Sequence, residues 1–179
     1  MLAELMSIWR AGDTAGLGTV VRTLRSAPRP PGAAMVVAPD GSVSGSVSGG
    51  CVEGAVYELA TEVARTGTPR LERYGVSDDD AFAVGLTCGG IIDVFVEAVS
   101  RATFPELGAI AGDIGGQRAV AVATVIAHPD AQRVGRDQGA GDLVDVLVSG
   151  RLRDGVRRGQ LHVGFPGVDH SGRRTTAHH

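Results

Sequence analysis

The chain has 179 residues, 43% of them hydrophobic, which suits one globular domain with or without a loosely packed extension. A formal net charge of −3 with only 4% aromatics excludes a general nucleic-acid binder, which needs a basic face interleaved with aromatic rings. No apolar run approaches a membrane span, and "MLAELMSIWRAGDTAG" lacks the basic start and long apolar region of a secretory signal, so a cytoplasmic protein is expected.

Leu2, Leu5, Met6 and Trp9 stand at helical spacing, and Gly12-Asp13 end that helix. "LGTVVRTLRS", Leu17 to Ser26, is β-branched enough for a strand, and "APRPPGA" must be a rigid turn because its prolines cannot donate to a ladder. "AAMVVAPDGSVSGSVSG" predicts a hairpin turning at Asp40-Gly41, with a second strand from Ser42 to Val47. The period then changes. Val52, Ala55, Val56, Leu59, Ala60 and Val63 form one face of a helix that starts near Gly50 and stops before Gly67 and Pro69. "RLERYGV" is a short strand and "SDDDAFAVGLTCGG" a loop whose acids fit a solvated turn. "IIDVFVEAV" is the strongest strand, with Asp93 and Glu97 as edge or outward positions. "TFPELGAIAGDIGG" predicts a helix with Pro105 in its first turn, followed by the strand "RAVAVATVIA". The order predicts an α+β fold, a mixed or antiparallel sheet covered by two main helices, with no Rossmann domain.

Beyond His128-Pro129 the pattern weakens. "DLVDVLVSG" allows one more strand, but "RLRDGVRRGQLHVGFPGVDHSGRRTTAHH" has no periodicity. Residues 1–130 hold 9 arginines against 15 acids, whereas 131–179 hold 8 arginines against 5 aspartates. This break divides the chain into a domain over 1–130 and a divergent Arg/Gly-rich extension over 131–179, poorly ordered or partly strand.

Two cysteines carry glycine collars, Cys51 in "SVSGGCVEG" and Cys88 in "GLTCGG". With no CxxC or His cluster a structural zinc site is not indicated, and a cytoplasmic location favours thiols over a disulfide. A helix starting at Gly50 would put Cys51 in its first turn, among amides that can hold an oxyanion, with Gly49 and Gly50 clearing the approach. Such a helix end contributes only about 0.3–1 kcal/mol, too little by itself to make the thiol a strong nucleophile. Arg29 in the proline turn is the candidate for an added cation. "GDIGGQ" is too short for a dinucleotide fingerprint, and no Walker loop, HExxH or triad supports hydrolase chemistry.

"RPPGAAMVVAPDGSVSGSVSGGCVEGAV" followed by "LERYGVSDDDAFAVGLTCGGIIDVFVE" resembles the XdhC/CoxI family, accessory proteins that mature molybdenum hydroxylases such as xanthine dehydrogenase and carbon monoxide dehydrogenase. The likeness runs from about Leu17 to Glu97. It implies a chaperone without turnover of its own, which binds the molybdenum cofactor transiently and helps deliver it to an apo molybdenum hydroxylase. In some systems a cysteine desulfurase takes part. The motifs carry over Arg29, Gly49, Gly50, Cys51, Glu53, Cys88, Gly89 and Gly90 as cofactor-binding candidates, with Cys51 and Cys88 as metal-ligand candidates. Many family members carry a C-terminal Rossmann-type domain that is not evident here, so either a separate chain supplies it or this is a shorter form; a separate Rossmann-domain chain or a self-dimer is the partner expected on that account. The extension also departs from the family's strand and "DG" turn, which suggests an altered reading frame beyond about Arg133. Two other readings stay open: a thiol-dependent oxidoreductase or sulfur-transfer protein using Cys51 and Cys88, and a non-catalytic half of a split assembly.

Overall fold

The computed structural model describes residues 1–75, 89–118, 120–127, 134–136, 145–152 and 155–160. In chain order they form α1 (Leu2–Ala11), β1 (Ala15–Leu24), β2 (Ala34–Val37), β3 (Val43–Gly45), α2 (Glu53–Thr66), β4 (Arg70–Gly75), β5 (Ile91–Val99), α3 (Leu107–Gly115), β6 (Ala121–Ala127), β7 (Gly135–Arg136), β8 (Asp145–Leu152) and β9 (Gly155–Gln160). One sheet has five strands in the order β3-β2-β1-β5-β4, and the other has four in the order β7-β6-β8-β9. Every pairing among the described residues is antiparallel. The expected α+β class is therefore observed.

Alternation along the strands sends two sets of side chains to opposite faces of the first sheet. Val20, Met35, Val37, Ile92, Val94 and Val96 face α2 and pack on its Val56, Ala60 and Val63. Each fully buried side chain of this size contributes about 1.5–3 kcal/mol. On the other face, Ala15, Val36 and Val99 pack on α1 and α3 through Leu5, Met6, Ile8 and Leu107. The second sheet joins that same face where Ile126 meets Val21 and Phe95. Trp9 ties α1 to the chain ahead of α3, its indole donating to the Phe104 carbonyl at 2.9 Å.

Close approach of α2 to β1 depends on two small positions. A Cβ on Gly16 would lie 2.3 Å from the Ala60 carbonyl oxygen, and one on Gly18 would lie 3.0 Å from Val56 Cγ1. The hairpin turns at Asp40-Gly41 as expected, with the Asp40 carboxylate accepting from the Ser42 amide at 2.9 Å.

Several boundaries differ from the sequence reading. The strand expected from Ser42 to Val47 ends at Gly45, whose φ of 92° turns the chain out of the ladder. Helix α3 begins at Leu107, so Pro105 lies ahead of it rather than in its first turn. Asp93 and Glu97 are not outward positions, since both are buried in β5, Asp93 between β1 and β4 and Glu97 opposite Leu17 of β1. Asp93 tolerates this because Arg73, opposite it on β4, donates through Nε at 2.7 Å and Nη2 at 3.0 Å. The Arg22 guanidinium on β1 approaches the same carboxylate at 3.7 Å. Strand β8 falls where "DLVDVLVSG" allowed one, and β9 pairs with it over a stretch that shows no periodicity.

Gly16→Ala is expected to cost about 1–3 kcal/mol, because α2 must move off β1 to accept the methyl group. The check is a lowered urea midpoint at unchanged m value. An unchanged midpoint would mean that α2 rides farther from β1 than the Gly16–Ala60 contact implies.

Candidate functional site

Antiparallel pairing brings most of the sequence-marked residues to one end of the first sheet. β1, β3 and β4 finish at this end, and β2 and β5 begin there. The connections after β1, after β3 and before β5 therefore emerge side by side. They carry Arg29, then Gly49 to Glu53, then Gly89 and Gly90. Two of them interlock: a Cβ on Gly90 would sit 2.7 Å from the Ser26 carbonyl oxygen and 3.0 Å from Ala27 Cα. Ala27 and Cys51 both pack against the core cluster under α2. Cys88 lies outside the described residues, as does the acidic run Asp78–Asp80, so no pairing of the two thiols is described.

Past Ser46, whose amide still donates to the Ala34 carbonyl of β2 at 3.0 Å, the loop to Val52 leaves the ladder, and its amides need other acceptors. One side chain supplies most of them. Glu53, the first residue of α2, folds back so that Oε1 accepts from Ser46 Oγ at 2.7 Å, Ser48 N at 2.9 Å and Gly49 N at 2.8 Å. Its Oε2 accepts from Ser48 Oγ at 2.5 Å and Gly50 N at 2.8 Å. Ser48 Oγ in turn accepts from the Val52 amide at 3.0 Å. Partial burial pushes the Glu53 carboxyl upward in pKa, but the bonds from Ser48, Ser46 and the amides of Ser48 and Gly50 outweigh it and hold the group far below the usual carboxylate range. Gly49 and Gly50 have φ of 81° and 120°, which lets consecutive amides converge on one carboxylate.

This geometry corrects the expected oxyanion site. Helix α2 starts at Glu53 behind the cap residue Val52, so Cys51 stands ahead of the helix rather than in its first turn. The amides of Gly49 and Gly50 do converge on an anion, but that anion is the chain's own Glu53. Among the described residues nothing covers the loop's outer surface: a Cβ on Gly49, Gly50 or Gly54 would meet none of them within 4 Å. Cys51, half-buried, is present as a thiol beside that surface. Among the described residues no three His, Cys, Asp or Glu side chains gather as a metal site would require. No described helix is long and apolar enough to cross a membrane.

Fold and site together define an α+β domain that presents a cysteine on a carboxylate-locked glycine loop, at the sheet end where three connections meet. The resemblance drawn from the motifs is borne out: the sequence model of the XdhC and CoxI family matches residues 8–75, which include β1 to β4, the loop and Cys51. The chain is 41% identical over 92 residues to a protein of Escherichia coli K12 named molybdenum cofactor insertion chaperone PaoD, covering 51% of this chain and 29% of the relative. It is 34% identical over 91 residues to a protein of Bacillus subtilis 168 named as a probable xanthine dehydrogenase subunit, covering 50% of this chain and 28% of that one. The chain thus spans under a third of the length of these two curated relatives. A crystal structure of a xanthine dehydrogenase from Bacillus halodurans shares the fold, with a TM-score of 0.62 at 23% identity over 92% of this chain and 46% of that one.

Glu53→Gln replaces one accepting oxygen by an amide that faces donors. The expected loss is about 1–3 kcal/mol at pH 7, the cost of leaving such donors unmatched. Because the folded carboxyl titrates below its ordinary value of 4.5, its contribution is complete above that pH and is lost as the pH falls below it. Between about pH 5 and pH 3 the wild type should therefore lose more stability than the variant. Urea unfolding of both at the two pH values checks this, and equal losses would remove Glu53 from the role.

Proposed function

We propose that this chain serves the maturation of a molybdenum hydroxylase, holding the molybdenum cofactor as cargo and passing it to the apo-enzyme with no turnover of its own. The observation that carries the reading is the locked loop itself: it presents Cys51 beside a glycine surface that no other part of the described chain covers. A thiolate is a soft ligand and suits molybdenum. Exposed Arg29 at the same sheet end suits the cofactor's phosphate. The loop amides do not serve as an oxyanion cradle while Glu53 fills them. The insertion chaperone and the probable xanthine dehydrogenase component among the relatives support the same reading. The division of the chain near residue 130, with the family-like unit ahead of it, belongs to this proposal.

The test is the molybdenum and pterin content of the full chain after purification from cells that make the cofactor, compared with Cys51→Ser. Near-stoichiometric cofactor is expected in the wild type. The variant should retain it at least tenfold more weakly, about 1.4 kcal/mol. Equal retention would place Cys51 in the core rather than at the cargo, and no cofactor in either protein would sink the reading.

A further inference from the structure

The turn that follows β1 holds a backbone outlier at a residue that is not glycine. Among the described residues only Arg25, at φ 60°, and Gln117, at φ 57°, take a left-handed backbone without being glycine. The chain places glycine at nine described positions of positive φ, so the unstrained solution is in regular use elsewhere. At residue 25 the conformation is built in by its surroundings. The Ala27 amide donates to the Arg25 carbonyl at 3.0 Å, and the Ser26 carbonyl is pressed under Gly90.

The fold gains nothing evident in return from the side chain. Arg25 is exposed, and among the described residues its guanidinium takes part in no hydrogen bond, ion pair or ring contact. Strain held at a residue whose exposed side chain has no polar partner among the described residues points to a role outside the chain. The location fits one: Arg25 lies at the sheet end that carries Cys51, four positions from Arg29 across Pro28. Both described acids at this end are already engaged, Asp93 by Arg73 and Arg22, and Glu53 by the loop.

We propose that Arg25 is a ligand-contacting residue that, with Arg29, binds an oxyanion group of the cargo, either a phosphate or an oxo-metal centre. This rests on the cargo-binding reading above and adds a second cation to it. A guanidinium suits such groups because its planar fork can meet two oxygens at once.

The test is calorimetric titration of the full chain, purified free of anions, with inorganic phosphate and separately with molybdate. Wild type, Arg25→Gly and Arg25→Ala are compared, and each melting temperature is recorded. Arg25→Gly should melt higher, because glycine relieves the left-handed strain, yet bind at least fivefold more weakly. Arg25→Ala should bind as weakly without the gain in melting temperature. Loss of phosphate binding alone assigns the pair to a phosphate group, and loss of molybdate binding alone assigns it to an oxo-metal centre. Wild-type affinity in both variants, or a wild type that binds neither anion, overturns the proposal. Arg25-dependent anion binding by a chain that never carries cofactor would keep this site and sink the cargo reading. Cofactor retained equally by wild type and Arg25→Gly would sink only the role of Arg25.

Discussion

A carboxylate surrounded by five donors organises the end of the sheet that gathers the candidate residues. The loop between β3 and α2 must leave a ladder and enter a helix within a few residues, which strips several amides of partners at once. Glu53 answers this from the helix side by accepting from Ser46, Ser48, Gly49 and Gly50 together. The effect reaches both ways along the chain. Val47 and Val52, on either side of the exposed glycines, are each driven fully into the core under α2. The same bonds fix where α2 begins and where Cys51 stands. A loop rich in glycine and serine would otherwise be the most mobile stretch of the domain. Here it is tied to the helix it introduces.

What was legible in the sequence follows from how local each signal is. The apolar stripe of α2, the Asp40-Gly41 turn and the β-branched run of β5 are read over a few neighbouring residues, and each is found where expected. The start of α2 was misplaced because Gly49-Gly50 resembles a helix entrance. The better signal was Glu53 itself, three residues beyond Gly50, the spacing at which a glutamate reaches back to an amide ahead of a helix. Asp93 defeats local reading for a different reason. Its partner Arg73 is 20 residues away and becomes a neighbour only through the register of β4 on β5. Strand β9 has no apolar alternation and is set by its pairing with β8.

The gathering of the candidate residues is a property of strand order rather than of any motif. Arg29 and Cys51 are brought to one end of the sheet only because β2 returns antiparallel to β1 and β3 to β2. Gly90 joins them because β5 pairs on the opposite side of β1. A single sequence contains the motifs but not this order, so resemblance to a family could nominate the residues without locating them in space.

The glycines themselves separate what the fold requires from what it does not. Gly16 and Gly18 are filled against α2, and a side chain there would collide with the Ala60 backbone or with Val56. Gly49 and Gly50 have backbone angles that a side chain resists. Gly54 satisfies neither condition. It lies in the first turn of α2, its φ is not among the positive ones, and a Cβ would meet nothing within 4 Å. Glycine in a helix costs about 1 kcal/mol relative to alanine, and no contact within the described chain offsets that cost. Among the described residues the fold therefore gives no reason for glycine at this position.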